Sequence, residues 1–172
     1  YVDVPLLTDT GTLTNAYNFK YFTELYENNL SSFGIYLKTA TSITNDDVKL
    51  SERVFITSSR LRGFERGKIG PKDGDDFIGG NYGASINFSS TLPRILENSQ
   101  DLDLLIFTDI ANVWGVDYFR GEDEGSKIRS SIGIALDWLT PIGPLSFSLT
   151  EPISKSSSDV TESFRFNLGT TF

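Results

Sequence analysis

Ser131-Ile132-Gly133-Ile134-Ala135-Leu136-Asp137-Trp138, running through Pro141-Ile142-Gly143-Pro144 into Leu145-Ser146-Phe147-Ser148-Leu149-Thr150, is the stretch that decides the fold. Large apolar side chains fall on every second residue: Ile132, Ile134, Leu136 and Trp138, then Leu145, Phe147 and Leu149. Between them stand Ser131, Gly133, Ala135 and Asp137, then Ser146, Ser148 and Thr150. A period of two is the mark of a strand, because successive side chains point to opposite faces. The Pro-Ile-Gly-Pro segment between the two runs is a short turn.

The same period recurs on both sides of this stretch. Phe164, Phe166, Leu168, Thr170 and Phe172 oppose Arg165, Asn167, Gly169 and Thr171, whereas a helix would put Phe164 and Phe166 on different faces. Upstream, Tyr17, Phe19, Tyr21 and Leu25 form one apolar row, Phe33, Ile35 and Leu37 another, and Tyr82, Ala84, Ile86 and Phe88 a third. Leu102, Leu104, Ile106 and Ile110 alternate with Asp101, Asp103 and Asp109, although Leu105 and Phe107 interrupt the polar face. A weaker segment, Tyr1 to Leu6, carries Pro5, which belongs at a strand end or edge. The total is about eight strands, many near the length that a tilted membrane strand requires. Short turns, such as Glu27 to Ser32, alternate with longer polar links at Gly115 to Ser126 and Ile153 to Ser163. The longest link, Thr44 to Ile78, covers about 35 residues. Short turns on one side and long loops on the other are the layout of outer-membrane barrels.

Composition narrows the classes. The 172 residues include no Cys and no His, which removes disulfides, Cys/His metal sites, Cys nucleophiles and Ser-His-Asp triads. A net charge of -8 argues against a nucleic-acid partner. No apolar run is long enough for a transmembrane helix. The chain begins at Tyr1 and not at Met, so a piece of a longer protein is expected. Two readings of the alternation stay open at this point. A soluble sandwich buries the apolar face; a membrane barrel turns it to lipid, and must then close so that no backbone edge is left unpaired in hydrocarbon.

Several motifs in order favour the barrel. Arg60-Leu61-Arg62-Gly63-Phe64, followed by Gly67-Lys68-Ile69-Gly70-Pro71, resembles the Arg-Gly-Phe motif of the sixth extracellular loop in the BamA family of outer-membrane assembly proteins. Gly79-Gly80-Asn81 resembles the opening of the family's next strand, and Phe107 to Trp114 its Asp-containing strand ending in Val-Trp. Gly133 to Leu145 and the terminal Phe164 to Phe172 are similar to the family nearly residue for residue. The resemblance implies an all-β, transmembrane antiparallel β-barrel, of which residues 1–172 are the last eight strands of sixteen, with a long loop folded into the lumen. The first half of the barrel and the periplasmic POTRA domains would be absent.

The resemblance also assigns roles. Arg62 matches the loop Arg that meets acidic groups on the inner wall, and Asp109 matches one of those acids. The alternation places Asp109 on the polar face independently. At the second acid position stands Asn87, which brings no charge, so the anchor is expected to be weaker or shared with Asp137 or Asp103. Gly63 would permit a close approach of backbone to wall, and Phe64 would wedge against it. Phe164, Phe166, Leu168 and Phe172 would form the C-terminal assembly signal and lateral seam, with Gly169 a weak point in the strand.

Other clusters carry less. The Gly-rich run from Gly63 to Gly80 lacks Walker spacing. The acidic runs Asp73-Gly74-Asp75-Asp76 and Gly121-Glu122-Asp123-Glu124 lack EF-hand spacing and read as solvated loops. Glu151 and Asp137 have no nucleophile or base arrangement around them, so no enzyme, cofactor or metal is expected. The function implied is assembly and insertion of β-barrel proteins in the outer membrane of a Gram-negative bacterium. Outer-membrane lipids, unfolded client barrels and accessory lipoproteins are the expected partners. The alternatives are a translocation pore of the TamA or two-partner secretion type and a small stand-alone eight-stranded barrel.

Overall fold

Alternating segments that share one apolar face can satisfy their backbones only by pairing edge to edge, and here they form one antiparallel sheet. A computed structural model of the chain describes residues 11–44, 46–93, 101–117, 127–141 and 143–169. In chain order the strands are β1 (Thr12–Thr23), β2 (Ser31–Ser42), β3 (Lys72–Asp73), β4 (Asp76–Phe77), β5 (Tyr82–Thr91), β6 (Leu102–Trp114), β7 (Arg129–Thr140), β8 (Gly143–Ser154) and β9 (Phe164–Leu168). The large sheet has the order β1-β2-β5-β6-β7-β8-β9, every neighbour antiparallel. The fold class is therefore all-β, and no α-helix occurs among the described residues. The sheet is open: β1 and β9 are its two edges and are not paired with one another among the described residues. The weak first segment, Tyr1 to Leu6, lies outside the described residues, as does Phe172.

Strand boundaries differ from the sequence reading in one instructive place. The segment read as Tyr17 to Leu25 is β1, which starts earlier and stops at Thr23. Leu25 belongs to the turn, where its N–H is bound by Asn29 Oδ1 at 3.2 Å. Asn28 adopts φ 61, a left-handed conformation that Asn tolerates better than most residues, and this reverses the chain. The acidic run Asp73 to Asp76 forms the tip of the small β3-β4 hairpin, with Asp73 opposite Asp76. The run Gly121 to Glu124 lies outside the described residues.

The two faces of the sheet bear on which alternative the alternation belongs to. Large apolar side chains point away from the loop and are exposed: Phe19 56%, Ile86 43%, Ile134 46%, Leu149 55% and Phe166 49%. Trp138 and Leu168 continue the same outward face. A soluble sandwich would bury these residues. A contiguous apolar surface of this kind is instead suited to lipid.

The inner face is polar and small, and the long β2-β5 link lies upon it. Pairing aligns Gly34, Asn87, Asp109 and Ser131 in one cross-strand row, and Tyr36, Ser85, Ala111 and Arg129 in the next. Ile56, Leu61, Phe64 and Ile69 of the link pack on Ala111 and Val113 of β6, forming the largest buried apolar cluster. A second cluster joins Val48 and Val54 to Ala40. Full burial of a Leu or Phe side chain contributes about 1.5–3 kcal/mol. Ordering the backbone costs about 1–2 kcal/mol per residue, so this many apolar anchors cannot seat so long a link without polar clamps.

Candidate functional site

The clamps lie where the link crosses the inner wall. Asp109 sits in the middle of β6, one position of the alternating inner face that also carries Phe107, Ala111 and Val113. It is fully buried. Arg62 reaches it from the link with both prongs of its guanidinium: Nε donates to Oδ2 at 2.7 Å and Nη2 to Oδ1 at 2.8 Å. The Arg62 backbone N–H adds a third bond to Oδ2 at 3.0 Å. This planar, bidentate geometry is one that Lys could not reproduce.

Asn87 completes the carboxylate's shell. Its Nδ2 donates to Asp109 Oδ1 at 2.8 Å and to the Arg60 carbonyl at 2.7 Å. The uncharged residue at this position thus binds both the wall carboxylate and the link backbone. Sharing of the anchor with Asp137 or Asp103 is not found. These two residues face each other across β6 and β7 near the turn end of the sheet, and Asp137 binds Ser146 Oγ at 2.6 Å. Asp103 is six residues from Asp109 along an extended strand, about 20 Å at the usual rise.

Phe107, which interrupted the polar face in the sequence, has a place here. Its ring lies 3.5 Å beneath the Arg62 guanidinium, a cation–π contact that holds the fork flat over the wall. Opposite Phe107 in the pairing is Gly133, where a Cβ would lie 2.5 Å from the ring and 2.4 Å from the Leu149 carbonyl. Arg60 stacks in turn over Tyr36 at 3.4 Å. Burial lowers the Arg60 pKa and Tyr36 opposes that shift, but a guanidinium stays charged across the physiological range.

Gly63 has φ +86, and a Cβ on it would lie 2.5 Å from Thr150 Cγ2 on β8. Both the backbone conformation and the space demand glycine. Phe64 is 1% exposed and bridges to Thr161 in the β8-β9 connection. At the last strand, Phe164, Phe166 and Leu168 all point outward, and Phe166 packs on Phe147 with ring centroids 5.0 Å apart. The regular strand ends at Leu168. Gly169 turns to φ +101, its N–H still bound to the Pro144 carbonyl at 2.9 Å.

Three further clamps were not foreseen. Asp117, just past β6, binds the Val48 N–H at 3.0 Å and Asn81 Nδ2 at 2.7 Å, fixing both ends of the link. Arg165 of β9 pairs with Glu162 and donates to the Phe64 carbonyl at 3.2 Å. Arg129 of β7 pairs with Asp159 of the β8-β9 connection, with both side chains fully buried. Only the inner-face parity of Arg129, two residues before Ser131, could have hinted at the last. Of the three, only the Arg129–Asp159 pair lies wholly outside the quoted motifs.

An apolar-outward antiparallel sheet, with a long link locked to its polar face by an Arg–Asp pair, is an arrangement suited to the wall of a membrane β-barrel. The Omp85 superfamily domain matches residues 4–172, and the chain belongs to that superfamily. Among curated relatives, the outer membrane protein assembly factor BamA of Neisseria meningitidis is 30% identical over 139 residues, covering 65% of this chain and 17% of the relative. A SAM50-like protein of Schizosaccharomyces pombe is 30% identical over 142 residues, covering 76% of this chain and 29% of the relative. The crystal structure of BamA from Haemophilus ducreyi lacking POTRA domains 1–3 matches with a TM-score of 0.79 at 28% identity, over 91% of this chain and 34% of that one. The chain therefore spans a minor part of these relatives' own length. It shares its antiparallel β-sheet fold with the Haemophilus ducreyi BamA, and the Neisseria meningitidis relative carries the name of an outer membrane protein assembly factor.

Proposed function

We propose that these residues form the second half of a barrel wall that assembles and inserts β-barrel proteins into the outer membrane of a Gram-negative bacterium. The observation that carries the reading is the Arg62–Asp109 lock on the inner face of a sheet whose outer face is apolar. The remaining strands and the POTRA domains would lie in the part of the relatives that this chain does not span. The open sheet order supports a half-wall over a small stand-alone barrel.

No bond is made or broken in this function. The outer edge of β9 would form a seam with a strand outside this chain, and an edge of unpaired N–H and C=O groups can template an incoming strand. Among the described residues β9 pairs with β8 from Leu145 to Leu149, with one further backbone bond at each end, Gly169 N–H to the Pro144 carbonyl and Thr150 N–H to the Ser163 carbonyl, and its other edge is open. The locked link keeps the wall rigid behind it. Outer-membrane lipids, unfolded clients and accessory lipoproteins are the partners this reading requires.

The test is client folding in lipid vesicles that carry the full-length protein, followed by the heat-dependent gel shift of a folded client barrel. Faster folding than in empty vesicles, slowed by Arg62→Ala, is the expected result. Folding no faster than in empty vesicles would overturn the reading.

A further inference from the structure

Arg129 and Asp159 form a buried ion pair outside every motif. Nε and Nη2 of Arg129 bind the two Asp159 oxygens, each at 3.0 Å, while Nη1 binds Asn112 Oδ1 at 2.8 Å and the Lys127 carbonyl at 2.9 Å. Asp159 also accepts the Ser156 N–H at 2.6 Å. A buried pair gains little net stability over well-packed apolar side chains, but it fixes geometry, and breaking it leaves an uncompensated charge. Its placement shows what is fixed.

Asp159 stands immediately before Val160, Thr161 and Glu162, the residues that pair with the motif link. The Val160 N–H donates to the Lys68 carbonyl at 3.2 Å, the Glu65 N–H to the Val160 carbonyl at 3.0 Å, and the Glu162 N–H to the Gly63 carbonyl at 3.0 Å. The Phe64–Thr161 bridge lies between them. Directly after this ribbon the chain enters β9. Arg165 in that strand ties back to the Phe64 carbonyl. The connection thus touches β7 through Asp159, the link through its backbone, and the last strand by continuity.

We infer that the Arg129–Asp159 pair is a clasp that positions the final strand, making residues 63–68, residues 160–162 and the start of β9 one cooperative unit. This unit is distinct from the Arg62–Asp109 lock, which holds the link to β6. This way of holding the last strand does not depend on the insertion activity.

The experiment is residue-resolved amide hydrogen exchange on the full-length protein in a lipid bilayer. Two variants are compared with the parent: Asp159→Asn, and the double variant Arg129→Gln/Asp159→Asn, which leaves no buried charge behind. With the clasp broken, the amides of Glu65, Val160, Glu162 and the β9 ladder exchange at least about tenfold faster together, as expected when one cooperative unit loosens. The Arg62 amide, held by Asp109, stays within about twofold of its parent rate. Acceleration at 160–162 alone, with 65 and β9 unchanged, would reduce the pair to a local contact and overturn the inference, as would no acceleration anywhere. Should neither variant fold, the parent decides: correlated opening of Glu65, Val160 and Glu162 in a single step supports the clasp, and independent opening overturns it.

Discussion

Removing the Arg62 side chain tests the lock most directly. In Arg62→Ala the buried Asp109 carboxylate keeps Asn87 Nδ2 and the residue-62 backbone N–H but loses both guanidinium bonds. Breaking a buried ion pair costs about 3–5 kcal/mol. The Arg62 side chain is 22% exposed, so water can reach the gap it leaves, and the lower end, about 3 kcal/mol, applies here. Asp109→Ala costs less, about 2 kcal/mol, because the stranded guanidinium keeps the Phe107 ring and an exit to water. The double variant should cost little more than Arg62→Ala alone, leaving a coupling energy of about 2 kcal/mol. The Leu61 amide is the reporter: it is bound to the Thr57 carbonyl within the link and touches neither mutated side chain by hydrogen bond. Its exchange in the bilayer-embedded protein should rise roughly 100-fold in Arg62→Ala, since each 1.4 kcal/mol is a factor of ten. Strictly additive single-variant effects, or an unchanged Leu61 rate, would refute the lock.

Two other outcomes are expected from the same geometry. Gly63→Ala should loosen the link by about 1–2 kcal/mol from its left-handed backbone alone, with a further steric cost against Thr150; adding Thr150→Ser removes the offending methyl and should recover the steric part only, as read by protease cleavage of the link. Ile134→Arg, at a position 46% exposed on the outer face, should cost about 2–4 kcal/mol if that position lies at the bilayer midplane. An equilibrium unfolding titration in lipid that shows a change under about 0.5 kcal/mol, the usual size for a water-facing site, would count against a lipid-facing wall.

The sheet was legible in the sequence because a two-residue period survives any tertiary arrangement. The outward rows of β5, β7, β8 and the start of β9 could be read directly. What pattern could not supply was direction: the same alternation serves a sandwich or a barrel, and only exposure of Ile134 and Phe166 beneath an inner-face link distinguishes them. Asp109 was placed on the polar face by its parity, and its meeting with Arg62 was implied by family resemblance alone. Phe107 looked like an error in the pattern because the link that covers it comes from residues far upstream. Asp103 and Asp137 looked available because charge was visible while cross-strand register was not. Arg129 and Asp159 were missed since partners 30 positions apart, one of them in an irregular connection, leave no periodic trace.

Loop geometry also dictates an order of events. Arg165 meets the Phe64 carbonyl across 101 positions of chain, and Asp109 meets Arg62 across 47. Such contacts reward the chain only after the closure entropy of everything between them has been spent. The link can therefore find its first hold once β6 is in place, yet its ribbon with Val160 to Glu162 cannot exist until the end of the sheet has been laid down. In whatever order the strands are laid down, the motif segment stays only partly seated until the end of the chain has joined the sheet. Its complete docking is thereby a built-in report that the last strand has arrived.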